Sequence, residues 1–206
     1  SMSFIADVAT LPRWMTVEQA VDFMQGVHPR FNRDKALGFL HQTKISLEQK
    51  VKTLSKGMVV QAHLALIMAV DAKILILDEP TLGLDIIYRD RFYQSLLNDY
   101  YSEERTIIIT THQVEEVESI LTDIMMIDNG QIVLESPMAT FTDRFVKVVA
   151  QAEFVNELRK LGPISERSQF GEAHLIFQDK EKKVLEMYGK VMPASVAEVF
   201  IAKVGG

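Results

Sequence analysis

In the stretch ILILDEPTLGLD, Ile74 to Asp85, four apolar residues run straight into two adjacent carboxylates, Asp78 and Glu79, then a proline and a turn. Two charges at the rim of an apolar strand must be solvated, paired or holding a cation, because a carboxylate stripped of water without a partner is too costly to keep. Alone, the segment reads equally well as a strand leaving the core into a polar turn. Three further pieces could join it in chemistry: LSKGM (Leu54 to Met58), GLD (Gly83 to Asp85) and TTHQ (Thr110 to Gln113). Each has an ordinary reading. Ser55 and Gly57 fit the cap of an apolar helix, Asp85 fits the N-cap of the helix after it, and His112 fits a strand-end histidine.

The elements that would position these residues follow from the local patterns. Thr16-x-x-Gln19 is a capping box ahead of VEQAVDFMQGV, Asn32 can cap RDKALGFLHQT, and Ser46 can cap LEQKVKTL. A longer apolar helix is expected from Val59 to Val70. KILILD (Lys73 to Asp78) and TIIITT (Thr106 to Thr111) are short, continuously apolar runs of the kind buried on both faces of a parallel sheet. A helix from Ile87 to Tyr101 lies between them, which makes a right-handed βαβ unit, and a further helix is expected from Val114 to Leu121. DIMMID and QIVLES, joined by Asn129-Gly130, read as a hairpin. A composition shift near Phe141 to Val146 opens a small α+β unit in which nothing names a ligand; packing and solubility account for it.

Composition narrows the classes. The chain has 206 residues, 48% apolar and 24% charged, enough for a real core in a globular protein. A net charge of -6 offers no basic patch for nucleic acid. No apolar run approaches the roughly 20 residues that span a bilayer, and Asp7 interrupts any would-be signal peptide. Without cysteine there is no disulfide framework or thiolate metal site.

Together, in this order, LSKGM, ILILDE, TLGLD and TTH resemble the nucleotide-binding domain of ABC-type ATPases over roughly residues 4 to 140. LSKGM looks like the signature loop, ILILDE the Walker B strand, TLGLD the approach to the D-loop and His112 the switch histidine. Ser55 stands 23 residues before Asp78, and Glu79 stands 33 before His112, both fitting that family. LSKGM and the closing PASVAEVFIAKV resemble the bacterial export-type branch. The resemblance implies an α/β, partial P-loop NTPase fold with parallel core strands and a helical subdomain, then a small α+β appendage. The expected division is residues 1–143 (8–60 mainly helical, 61–143 carrying the signature helix and the Walker B and switch strands) and residues 144–206.

It also implies roles. Asp78 would hold Mg²⁺ through water, since that ion dehydrates reluctantly. Glu79, expected to point across the pleat from Asp78, would orient or deprotonate the water attacking the γ-phosphate of ATP. His112 would hydrogen-bond that phosphate. Ser55, Lys56 and Gly57 would cover the ATP of a partner subunit from a helix N-terminus, with Asp85 at the dimer seam. The implied partners are a second ABC ATPase subunit and a transmembrane transporter subunit, with no nucleic acid, and the implied place is the cytoplasmic face of the cell membrane.

The pattern departs from the family in one major respect. No G-x-x-x-x-G-K-[ST] occurs; Gly189-Lys190 is followed by Val191. In the family that loop precedes the helical segment, so the P-loop would lie before residue 1, and Asp7 falls near the family's Q-loop glutamine. ATP and Mg²⁺ are therefore expected to bind this chain weakly and not to be turned over. Val59, Val60, Leu66 and Ile86 also replace residues common in the family. Three readings stand: a truncated transporter ATPase, a half-domain that completes a partner's ATP site, and a soluble ABC ATPase without transport. The intact Asp78, Glu79 and His112 favour the first over the second, and the lack of a coiled-coil pattern lowers the third.

Overall fold

The structure, a computed structural model, describes residues 2–5, 11–169 and 171–205. The chain packs as two compact units, 1–112 and 113–206.

In the first unit the expected caps form. Gln19 N donates to Thr16 Oγ1 (3.1 Å) and Thr16 N to Gln19 Oε1 (3.0 Å), opening α1 (Val17–Val27). Asn32 caps α2 (Arg33–His41). The helix expected after Ser46 does not form, and only a 3₁₀ turn, Val51–Thr53, is present. The cause is tertiary: the carbonyls of Gln49 and Leu47 accept from Val17 N and Glu18 N, two of the free donors at the start of α1. Ser55 caps α3 (Lys56–Met68), which begins three residues earlier than expected. Ala62, Ala65 and Leu66 of α3 join Val17, Val21, Ala36 and Leu40 in an apolar core.

Strands β1 (Met2–Ile5), β2 (Ile74–Asp78) and β3 (Thr106–Thr110) form a parallel sheet in the order β1-β2-β3. Between β2 and β3 runs α4 (Ile86–Ser95), whose last turn loosens into a π-turn, Leu96–Tyr100. The apolar runs are not buried on both faces as expected. Leu75 and Leu77 are fully buried, whereas Ile74 is 39% and Ile108 45% exposed, so one face of the sheet is covered and the other only partly.

The second unit opens on two 3₁₀ turns, Val114–Glu116 and Glu118–Ile120, where one helix was expected. Glu115 and Glu118 would face each other at i,i+3 on such a helix and repel. Glu118 instead accepts from Val196 N (3.2 Å), a free donor at another helix start. Then β4 (Asp123–Asp128) and β5 (Gln131–Pro137) pair antiparallel across Asn129 and Gly130, both at positive φ, as an Asn-Gly hairpin turn requires. After α5 (Met138–Arg144) come β6 (Phe145–Ala150), α6 (Val155–Lys160), β7 (Ser165–Gln169), β8 (Glu172–Gln178), α7 (Lys182–Leu185), β9 (Lys190–Pro193) and α8 (Val196–Val204). The sheet order β7-β8-β6-β9, all antiparallel, is a split βαβ arrangement. One face packs Val146, Val148, Leu175 and Phe177 against Leu158 and Leu185. The other packs Phe145 and Ile176 against Val199 of α8, Phe141 of α5 and Ile124, Met126 and Leu134 of the hairpin. That shared core is why packing divides the chain at 112/113 rather than at 143/144.

Candidate functional site

The parallel register of β2 and β3 sets Asp78 opposite Thr110, and Glu79 N donates to the Thr110 carbonyl (2.9 Å). The Thr110 hydroxyl donates to Asp78 Oδ1. Glu79 itself lies outside the strand, in the left-handed region at φ 45°. Its direction is therefore set by that turn and not by the pleat alternation expected from sequence. A non-glycine residue held there costs on the order of 1–3 kcal/mol, so its surroundings must fix it. They do so through the end of β3. Thr111 Oγ1 donates to Glu79 Oε2 (3.0 Å), and Oε1 accepts from His112 N (2.7 Å) and His112 Nδ1 (2.6 Å). The Glu79 side chain is 20% exposed and that of His112 67%.

An ionised carboxylate offers about four acceptor sites. Three of those on Glu79 are filled, and the remaining capacity is on Oε2, where a water can be held and deprotonated. With Glu79 ionised, His112 Nδ1 must carry the proton of the bond between them. Nε2 of a neutral ring is then an acceptor, so His112 can donate to a phosphate oxygen only as the imidazolium. Beneath the turn the buried Thr81 hydroxyl lies 3.2 Å from the Tyr93 hydroxyl. Burial pushes the Tyr93 phenol up; the Thr81 bond and Arg89 oppose this, and the charge of Glu79 adds to it.

Among the described residues no group of three or more histidines and carboxylates could wrap a metal. Asp78 suits a more limited role, because Thr110 holds Oδ1 and a lone carboxylate can hold one water of a hydrated Mg²⁺. Ser55, Lys56, Gly57 and Asp85 form a second group. Ser55 Oγ accepts from Met58 N (3.2 Å), and Lys56 is exposed. A Cβ on Gly57 would come within 3.2 Å of the Gly83 carbonyl oxygen, so the start of α3 rests on the turn that leads into Asp85. Asp85 Oδ1 accepts from Ile87 N (3.0 Å) and Tyr88 N (3.1 Å), the N-cap role expected of it.

The structure thus brings Asp78, Glu79 and His112 together, while Asp7 lies outside the described residues. Sequence reasoning missed Thr110 and Thr111. Their signal was available: two hydroxyls end one parallel strand just as two carboxylates end the other.

The family model described as "AAA domain, putative AbiEii toxin, Type IV TA system" matches residues 6–118. The ABC transporter ATP-binding protein YtrB of Bacillus subtilis (strain 168) is 28% identical over 200 residues, covering 93% of this chain and 68% of that protein. The energy-coupling factor transporter ATP-binding protein EcfA2 of Lactobacillus acidophilus is 33% identical over 116 residues, covering 54% of this chain and 40% of that protein. This chain therefore matches about two thirds of the first relative and well under half of the second. The solved structure of an ATP-binding subunit of an ABC transporter superposes with a TM-score of 0.61 at 18% identity, over 69% of this chain and 61% of that one, a likeness of fold. With the family model covering more than half of its length, the chain belongs to that AAA-domain family, and its relatives and fold agree in giving it a partial ABC-type nucleotide-binding-domain fold.

Proposed function

We propose that the protein is the ATP-hydrolysing subunit of an ABC transporter, in which Glu79 activates the attacking water and Asp78 holds Mg²⁺ through water. The observation that carries this reading is the Glu79 carboxylate, fixed by three hydrogen bonds at the junction of two parallel strands beside Asp78. A water on Oε2 would give up its proton there as its oxygen bonds to the γ-phosphorus and the β,γ-bridging oxygen departs with ADP. Magnesium, when bound, neutralises the phosphate oxygens. As the imidazolium, His112 donates from Nε2 to the γ-phosphate while Nδ1 keeps Glu79 in place.

In the same proposal the active form is a head-to-tail dimer. Ser55, Lys56 and Gly57 present a helix N-terminus to the nucleotide of the partner subunit, and Asp85 lies at the seam. The dimer works on a transmembrane subunit at the cytoplasmic face of the membrane. LSKGM and the closing PASVAEVFIAKV support export as the direction.

Glu79→Gln in the full-length protein, assayed in its transporter complex, tests the reading. Nucleotide binding is expected to persist while turnover falls by about 100-fold or more, within the range for loss of a general base; unchanged turnover would refute it. The 206 residues contain no G-x-x-x-x-G-K-[ST] and are expected to give no measurable hydrolysis alone. Turnover by this chain that Glu79→Gln abolishes would overturn that expectation.

A further inference from the structure

We infer that Thr110 and Thr111 are positioning residues, one for each carboxylate: Thr110 orients Asp78 and Thr111 orients Glu79. This rests on the reading of Asp78 and Glu79 given above. A hydroxyl has one proton to donate, so one threonine cannot serve both carboxylates. The register solves this by setting Asp78, the last residue of β2, opposite Thr110, the last of β3, with Glu79 and Thr111 next in sequence just beyond the strands. Thr110 donates to Asp78 Oδ1 and Thr111 to Glu79 Oε2, one hydroxyl to each carboxylate.

The two bonds do different things. The Thr110 bond occupies one oxygen of Asp78 and so selects which oxygen faces a hydrated cation. The Thr111 bond lands on Oε2, the oxygen of Glu79 that keeps room for a water, and so fixes the direction in which the base receives a proton. Glu79 needs this more than most carboxylates, because at φ 45° its backbone lies outside the strand and cannot aim the side chain by the pleat. Threonine suits this role, since its branched Cβ restricts χ1 and holds the hydroxyl in one direction.

Double-mutant cycles on this chain test the pairing without any nucleotide. Thr111→Val with Glu79→Gln, and Thr110→Val with Asp78→Asn, form the matched cycles; exchanging the partners gives the crossed ones. Denaturant unfolding of the first unit, followed by amide exchange at His112, reads each. Matched pairs are expected to couple by about tenfold in the unfolding equilibrium, as hydrogen bonds to charged groups do, and crossed pairs by less than about twofold. Equal coupling in matched and crossed cycles, or none in the matched ones, would overturn the assignment. Thr110→Ser and Thr111→Ser keep the hydroxyl, fill no new space and are expected to retain the coupling.

The catalytic consequence is read in the full-length protein. Thr111→Val is expected to lower kcat by about 10- to 100-fold with KM for ATP little changed, and Thr110→Val to raise the Mg²⁺ needed for half-maximal turnover by a similar factor. The serine variants are expected to restore both. Valine variants that leave both quantities unmoved while Glu79→Gln abolishes turnover would defeat the positioning roles and leave the ATPase reading intact. Turnover that survives Glu79→Gln would defeat the ATPase reading, whatever the cycles report.

Discussion

The two sheets of this chain are covered differently. In the second unit the antiparallel sheet has apolar side chains packed on both faces, with Phe145 on one and Phe177 on the other, each fully buried. In the first unit the parallel sheet buries Leu75 and Leu77 completely but leaves Ile74 and Ile108 partly in solvent. The polar strand ends that gather Asp78, Glu79 and His112 belong to this less protected sheet. The residues proposed above to carry the chemistry therefore lie where the covering of a sheet is incomplete. One lesson is that the two units should respond separately to the same kind of insult.

The largest effect is expected in the second unit. Phe145→Ala removes a ring that stacks 4.9 Å from Phe141 at the centre of its core, and should destabilise that unit by about 3–5 kcal/mol. Denaturant unfolding with unit-resolved amide exchange would show it; a loss spread equally over the first unit would break the comparison. Next comes a contrast within the first sheet. Leu77→Ala on the covered face should cost about 2–5 kcal/mol, and Ile108→Ala on the other about 1 kcal/mol or less. Equal losses would mean that both faces are covered.

The smallest effect is in pH dependence. Burial pulls His63 of α3 down from its ordinary 6.5. A histidine depressed in the folded state contributes stability that is present above 6.5 and lost as pH falls below it. In the second unit burial pushes Glu198 up, but the ammonium of Lys147 at 2.6 Å and the hydrogen bonds with Ser195 outweigh it, so the carboxyl ends below its ordinary 4.5. Its contribution is present above 4.5 and lost only below that. On acidification the first unit should therefore loosen before the second, and His63→Leu should remove the early step. Amide exchange between pH 7 and 4 would sharpen or reverse this order.

Much of this was legible in the chain because it is local. Capping boxes, the Asn-Gly hairpin and the two apolar runs ending in polar residues each announce themselves within a few positions. The failures arose where distant groups decided. Nothing within LEQKVKTL says that its carbonyls will serve α1, and nothing near Glu118 says that it will meet the start of α8. Strands β7 and β9 carry no local signal, because SERSQ is polar throughout and KVMP is only four residues long; both pair at the edges of a sheet that other strands define. At the site the residue types were readable. The backbone turn at Glu79 and the division of the two threonines were not, because both depend on how one strand is set beside another.

The positive φ of Glu79 also bears on how such a protein would evolve. Glycine or asparagine would occupy that backbone with less strain than glutamate, and the donors on the exposed His112 could turn to water. Such a replacement would also give up the bonds from Thr111 Oγ1, His112 N and His112 Nδ1 that hold the carboxylate, so relief of strain and loss of bonding come in one step. On the role proposed for Glu79, this codon answers to turnover as well as to folding, and a lineage released from hydrolysis is expected to change there first.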